Sequence, residues 1–423
     1  DPAVAGVYPD RLEQPQTDVT PQFIGAPAAW ARAGGQESAG ENAVIGVLDT
    51  GIWPEHPSLS DPDPSGKPYP APAGGLRTCD FGSAVPGDAP FTCNNKLIGA
   101  YRFMGTYDAA VGIGAQEFPS ARDDDGHGTH TSTTAAGNAG VAASIFGTPR
   151  GIISGIAPRA HVIMYKVCGA DGCFSSDSAL AVQQAILDHV DAINFSIGGG
   201  ANPYTDAVSL AFLDAYNAGI FVAASAGNSG PGPDTTDHRE PWVTTVAAST
   251  GPRSFQGGTT LTSSDGATLT LAGTSVTQSA AAAPLVIPTG DPICASPFAA
   301  GSVTGKIVLC MRGGGPGRVQ KGFDVLQGGA AGMVLYNNAT NVTDLETDNH
   351  FLPAVQVQYA DGQAILAFVA AHPDVTASIQ GGVKAPQQGD VMASFSSRGG
   401  PGQSLGISKP DVTAPGVQIL AGQ

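Results

Sequence analysis

Positive charge is scarce in this chain. Lysine and arginine together number 19 against 36 aspartates and glutamates, giving a formal net charge of −17 at pH 7. Nucleic-acid binding rests on a basic face that neutralises phosphates, so that class of partner is excluded. Long hydrophobic runs are also missing, and nothing approaches the roughly 20 consecutive apolar residues of a membrane span. Charged residues of both signs make up only 13% while hydrophobic ones make up 42%, a globular rather than a disordered balance. Neither an H-E-x-x-H motif nor a C-x-x-C pair occurs, which removes the common zinc patterns. No signal peptide opens the chain, and "DPAVAGVYPD" reads as the middle of something longer.

What is present is length, glycine and proline. The 423 residues include 58 glycines and 33 prolines, enough for many turns and long loops. At about 100–200 residues per domain, two or three domains are expected. The acidic surface fits a soluble, self-repelling, secreted protein. Six cysteines fall in three local pairs, Cys79/Cys93, Cys168/Cys173 and Cys294/Cys310. The even count and short separations point to disulfides in an oxidising compartment, with three pairs of free core thiols as the alternative.

Between about residues 40 and 250 strands and helices alternate. "AVIGVL" (Ala43–Leu48), "HVIMYKV" (His161–Val167), "DAINFSI" and "IFVAAS" are buried-strand runs. "SDSALAVQQAILDHV" has helical spacing at Val182, Ile186 and Val190, and "DAVSLAFLDAYNAG" is a helix closing at Gly219. The pattern predicts an α/β fold with a parallel sheet covered on both faces and its site at the carboxyl ends of the strands. Residues 253–388 change texture, with shorter strands at "GKIVLC", "AGMVLY" and "PAVQVQ" and one helix at "ADGQAILAFVAAH". From "VMASFSSRGG" the first texture returns, so the module reads as a small α/β insertion. Asn338-Ala-Thr and Asn341-Val-Thr within it are glycosylation sequons for a eukaryotic secretory pathway.

Three stretches carry chemistry. In "VLDTGIWPEHPSL", Asp49 follows an apolar strand, where a carboxylate is costly unless partnered. Taken alone, it reads first as a turn-forming residue. In "DDDGHGTHTSTTAAG", His127 sits between two glycines at a helix start, with His130 one turn on. H-x-x-H is not zincin spacing and the aspartates do not fit an EF-hand loop, so no metal site is assigned. In "VAASAGNSGPGP", Asn228 follows a buried strand in a glycine-rich turn. Its amide is suited to a developing oxyanion, and the plainer reading is a simple turn.

Asp, His and Asn in this order on one parallel scaffold resemble the subtilisin-like serine proteases, the subtilases. "DTGIWPEHPSL", "GHGTH" and "AGNSG" are similar to that family's Asp, His and oxyanion-Asn motifs. The resemblance implies that Asp49 orients the imidazole, His127 is general base then general acid, Asn228 donates to the oxyanion, and His130 is structural. It implies that Ser196, Ile197 and Gly198 in "INFSIGG", on the strand that lines the primary specificity pocket, offer backbone and pocket walls, and that Ala226 and Gly227 also bind substrate. Gly169, Ala170, Asp171 and Gly172 in "YKVCGADGC" would then pair with an extended polypeptide substrate. Residues 253–388 resemble the protease-associated domain of the large cucumisin-like and bacterial members, whose cysteine pairs fall in the same places. The family reading of that domain is substrate selection or self-association, and the plain alternative is a lid. Residues 21–252 and 389–423 would form the catalytic domain. No cofactor is required for the chemistry. Family members often bind structural calcium, but no ligand loop assigns a site here.

The family's Gly-Thr-Ser-Met-Ala serine motif does not occur. Its usual approach does, as Lys409-Pro410-Asp411 and Ala414-Pro415-Gly416. "GTS" at Gly273–Ser275 lacks Met-Ala and lies in the inserted module. The expectation is therefore a piece of a secreted endopeptidase, inactive alone and completed by a carboxyl-terminal segment bearing the serine. The alternative is a non-catalytic peptide-binding pseudoprotease. Without that segment an apolar sheet face should lie uncovered, so the isolated chain is predicted to be marginally stable or to associate. "PAVAGVYPDRLEQPQTDVTPQFIG" resembles the tail of a prodomain, an intramolecular inhibitor and chaperone, spanning residues 1–20 with maturation within 10–22.

Overall fold

The computed structural model describes residues 19–82, 89–200, 202–314, 317–403 and 406–422. Residues 1–18, which hold most of the expected prodomain tail and maturation segment, lie outside the described residues.

Six parallel strands come first: β1 (Val44–Asp49), β2 (Leu97–Arg102), β3 (His161–Lys166), β4 (Ala192–Phe195), β5 (Phe221–Ser225) and β6 (Thr244–Thr250). β1 lies between β3 and β4, with Val44 opposite His161, Asp49 opposite Lys166 and Leu48 opposite Phe195. Central strands of a parallel sheet are covered on both faces, which is why "VIGVLD" and "HVIMYK" are apolar along nearly their whole length.

Three helices supply the covers: α1 (His127–Ala136), α2 (Ser175–Leu187) and α3 (Ala207–Asn217). On one face Leu48, Tyr165 and Phe195 of the sheet pack with Val182, Ala185 and Phe212 of α2 and α3. On the other, Val47, Val162 and Met164 pack with Ala136 of α1. Each fully buried Leu or Phe contributes about 1.5–3 kcal/mol. α2 stops at Leu187, earlier than its apolar spacing predicts, because His189 takes a φ of 57°. Val190 still reaches the same cluster from beyond the helix.

Residues 253–386 form a closed barrel of seven strands: β7 (Arg253–Thr262), β8 (Thr268–Thr274), β9 (Ala280–Val286), β10 (Ile307–Met311), β11 (Gly332–Tyr336), β12 (Ala354–Val357) and β13 (Thr376–Pro386). Around the barrel the order is β7-β8-β12-β11-β10-β9-β13, and β13 closes antiparallel onto β7. Leu261, Ile307, Leu309, Val334, Val355 and Ile379 form one of its cores. Two helices accompany it, α4 (Arg318–Gln327) and α5 (Tyr359–Ala371), where one was expected. α4 is masked in sequence by its flanking glycines and by Gly322 at its centre. Gly322 sits against His350, and a Cβ there would lie 2.5 Å from Nδ1.

The chain then returns as β14 (Val412–Val417), parallel to β6, and the finished sheet runs β14-β6-β5-β4-β1-β3-β2. Disulfides join Cys79 to Cys93, Cys168 to Cys173 and Cys294 to Cys310, with Cα–Cα distances of 5.9, 4.2 and 5.6 Å. Among the described residues no helix is long and apolar enough to cross a membrane.

Candidate active site

Asp49 ends β1 and is fully buried. A buried carboxylate needs donors, and Asp49 has three. The Thr50 amide donates to Oδ1 at 2.8 Å, the Thr131 hydroxyl to Oδ2 at 3.0 Å and His127 Nδ1 to Oδ1 at 2.7 Å. Lys166, its partner in β3, points elsewhere. Its ammonium donates to Thr50 O at 2.7 Å, Arg122 O at 3.0 Å and Asp124 at 2.8 Å, pinning the loop that leads to α1.

The start of α1 is fastened over the β1 turn. Asp123 accepts from the Thr50 hydroxyl at 2.9 Å, the Gly126 amide at 2.9 Å and the Thr129 amide at 2.8 Å. The Gly128 amide donates to Thr50 Oγ1 at 2.8 Å. A Cβ on Gly128 would lie 2.1 Å from Gly51 O, so only glycine lets the helix rest this closely on the turn. That contact sets His127 beside Asp49.

His127 is 48% exposed in its side chain against 0% for Asp49. Its pKa is pushed up to about 9, chiefly by the hydrogen bond to Asp49 and against the effect of burial. Because Asp49 only accepts, the neutral ring keeps its proton on Nδ1 and presents the Nε2 lone pair. Nε2 has no hydrogen-bond partner among the described residues. His130 turns the other way: Nε2 lies 3.2 Å from Ile419 O, and burial lowers its pKa.

His127 lines a cavity of about 1540 Å³ together with Ser196, Gly198, Gly227 and Asn228. Asn228 follows β5 in a turn held by the returning chain. Ser397 donates its amide to Gly227 O at 3.0 Å and accepts the Ser229 amide on Oγ at 3.0 Å, and Gly230 donates to Phe395 O at 2.8 Å. The Asn228 side chain makes no hydrogen bond among the described residues. Thr131, Thr134 and Ala135 of α1, Pro415, Gly416 and Gln418 to Ala421, and Arg312, Arg318 and Glu346 to Asn349 from the barrel complete much of the lining. Ile197 and Ala226 lie behind it. Ile197 O accepts from the Ser225 hydroxyl at 3.2 Å, and Ala226 is buried between β5 and β6.

Gly169, Ala170, Asp171 and Gly172 are not brought to this cavity. They form a tight hairpin, Cys168–Gly169 paired with Gly172–Cys173, closed by the disulfide. The Ala170 amide donates to Glu117 at 2.6 Å and the Asp171 amide to the Tyr107 hydroxyl at 3.2 Å.

The subtilase family model matches residues 40–423. The chain belongs to the subtilase family. It is 40% identical to subtilisin-like protease SBT1.6 of Arabidopsis thaliana over 99% of its own length and 56% of that relative's. It is 39% identical to subtilisin-like protease SBT1.3 of the same plant, over 99% of its own length and 55% of the relative's. The chain thus spans about half the length of the curated relatives it matches.

Around this subtilase's His–Asp pair the sequence leaves several residues unmarked. Thr131 is i+4 from His127 and so on the same helix face, a spacing legible in "HGTHT". Asp123 and Lys166 act through backbone groups and neighbouring side chains that no motif reveals. Among the described residues no group of three or more His, Cys, Asp or Glu side chains is placed to hold a metal ion. The calcium allowed by the resemblance finds no such cluster there.

Proposed function

We propose that the chain carries the acid–base and oxyanion parts of a secreted serine endopeptidase site. The nucleophilic serine lies on a carboxyl-terminal segment outside these 423 residues. One observation carries this reading: His127 is hydrogen-bonded through Nδ1 to buried Asp49, while its Nε2, without a partner among the described residues, stands at a cavity shared with Asn228. In this reading His127 takes the serine proton through Nε2 as the hydroxyl attacks the scissile carbonyl. Asp49 fixes the tautomer and stabilises the imidazolium. Asn228 donates its side-chain amide to the tetrahedral oxyanion, and His127 then protonates the leaving amine. Water repeats the sequence on the acyl-enzyme.

The size of the cavity and the small side chains of α1 that face it suit a packed helix bearing the serine. The substrate is an extended polypeptide, with Ser196, Ile197, Gly198, Ala226 and Gly227 around the side chain before the scissile bond. Gly169 to Gly172 would offer an edge along which the extended polypeptide pairs, outside the residues that line the cavity. Residues 253–388 act as a protease-associated domain whose loop at Glu346 to Asn349 borders the cleft. A prodomain ending near residue 20 occupies the cleft before maturation.

A fluorophosphonate probe tests this. It should leave the 423-residue chain unlabelled, and it should label the protein that includes the carboxyl-terminal segment, with His127→Ala abolishing that labelling. Labelling of the isolated chain would show that the nucleophile has been misplaced. Specific peptide binding by the extended protein without turnover would favour the pseudoprotease instead.

A further inference from the structure

Asp237 lines the same cavity as His127 and Asn228. It lies beyond the β5 turn, and its amide donates back to Ala226 O at 2.9 Å. Its carboxylate therefore reaches the ends of two neighbouring strands. Oδ2 is 3.2 Å from where a Cβ on Gly198 would stand and 2.5 Å from one on Gly227. Both positions are glycine, and the recess between β4 and β5 is filled at its base by an acid group. Any larger residue at Gly227 would displace it.

The next residue anchors the backbone that carries this carboxylate. His238 is fully buried, with Nε2 2.9 Å from Ile197 O and Nδ1 3.3 Å from Glu240, itself fully buried. The ring packs against Phe195 and Phe212 at centroid distances of 5.4 and 6.1 Å. A Cβ on Gly199 would lie 2.3 Å from it. His238 thus ties the backbone next to Asp237 to Ile197 at the exit from β4.

Asp237 makes no ion pair with a lysine or arginine among the described residues, although His238 and Arg239 lie near enough to act on its charge. Neighbouring Arg239 is committed to the carbonyls of Thr236 and Asp234, each at 2.6 Å, and His238 is held by Glu240. Burial raises the Asp237 pKa, and the Gly199 amide and the nearby charges only partly oppose it. A half-buried carboxylate in this position is stabilised by a positive group arriving from outside.

We propose that Asp237 is a specificity-determining residue that receives the lysine or arginine side chain of a polypeptide substrate in the recess between Gly198 and Gly227. This rests on reading the cavity as a peptidase cleft, and the test is chosen to stand apart from turnover. The 423-residue chain is titrated at pH 8 with fluorescent 4-aminobenzamidine and with the uncharged 4-aminobenzamide. The amidine is expected to bind at least about tenfold more tightly, Asp237→Asn to remove the difference, and Asp237→Glu to retain part of it. Equal affinity for the two probes, or an amidine preference that survives Asp237→Asn in a variant with unchanged near-ultraviolet circular dichroism, overturns the proposal.

The protein extended by its carboxyl-terminal segment gives a second reading. Its kcat/KM for cleavage after lysine should exceed that after norleucine by about tenfold or more, and Asp237→Asn should bring the ratio towards one. A ratio near one in the unmodified protein also overturns the proposal. If neither peptide is hydrolysed, the endopeptidase reading fails and the amidine titration alone decides Asp237.

Discussion

His127 Nδ1 lies 2.7 Å from Asp49 Oδ1, and of the two side chains only the imidazole meets solvent. The carboxylate has no water to solvate it, so its charge is expressed on the ring.

The first expectation concerns pH. The His127 pKa is raised from its ordinary 6.5 to about 9. A group raised on folding contributes stability that is fully present below its unfolded pKa and is lost as pH rises through the folded one. The protonated pair should therefore stabilise the fold below pH 6.5, with the contribution fading towards pH 9. Asp49→Asn should return the imidazole titration, followed by NMR, towards the ordinary value and flatten that part of the stability profile. A native His127 titrating near 6.5 would contradict the geometry.

Gly128→Ala should move the start of α1. The added Cβ would meet a backbone carbonyl, Gly51 O, at 2.1 Å, and neither side can give way by rotating a side chain. A loss of about 1–3 kcal/mol in urea unfolding is expected, with the His127 titration shifting down as the ring leaves Asp49. Gly105→Ala, where a Cβ would meet nothing within 4 Å, serves as the control and should change little.

Lys166→Met should be among the most damaging single changes in the sheet. It keeps the stem but strands the Asp124 carboxylate, 2.8 Å away with only 7% of its side chain exposed. Removing one partner of a buried pair costs about 3–5 kcal/mol. Thermal or denaturant melting measures this, and a change within experimental error would show that water replaces the ammonium.

Replacing Cys294 and Cys310 by serine opens a loop with a sequence separation of 16. Loop-closure entropy puts the stabilisation lost at about 3 kcal/mol. The barrel should melt at lower denaturant in the double variant, and in the native protein under reductant.

The parallel sheet was legible because its strands are buried on both faces and therefore apolar along nearly their whole length, as in "VIGVLD" and "HVIMYK". Helix ends were less so. α2 is cut short by a left-handed His189, a choice made by the turn into β4 and not by the apolar spacing. α4 was hidden by Gly322, which serves its contact with His350 and weakens the helical signal. Closure of the barrel depends on β7 meeting β13 across more than a hundred residues, and no local pattern encodes that pairing. At the site, Asp49, His127 and Asn228 were each marked by a strand end or helix start, and the fold brings His127 and Asn228 to one cavity with Asp49 buried behind the imidazole. Gly169 to Gly172 were assigned by resemblance alone, and their disulfide and Glu117 hold them in a hairpin outside the cavity lining. Asp237 carried no mark at all, because its setting consists of two glycines from other strands.

The antiparallel pairing of β7 with β13 bears on how the molecule assembles. Arg253 lies opposite Pro386, so the barrel's entrance and exit are neighbours. β6 and the returning chain meet there, Thr250 donating to Val391 O at 2.8 Å. An unfolded connection of roughly 140 residues would make that meeting entropically unfavourable. A barrel already formed shortens the effective connection to a handful of residues and lowers the closure penalty by roughly 3 kcal/mol on the logarithmic law. Folding order is thereby written into topology: once the barrel has formed, β14 can find β6 as readily as one arm of a hairpin finds the other.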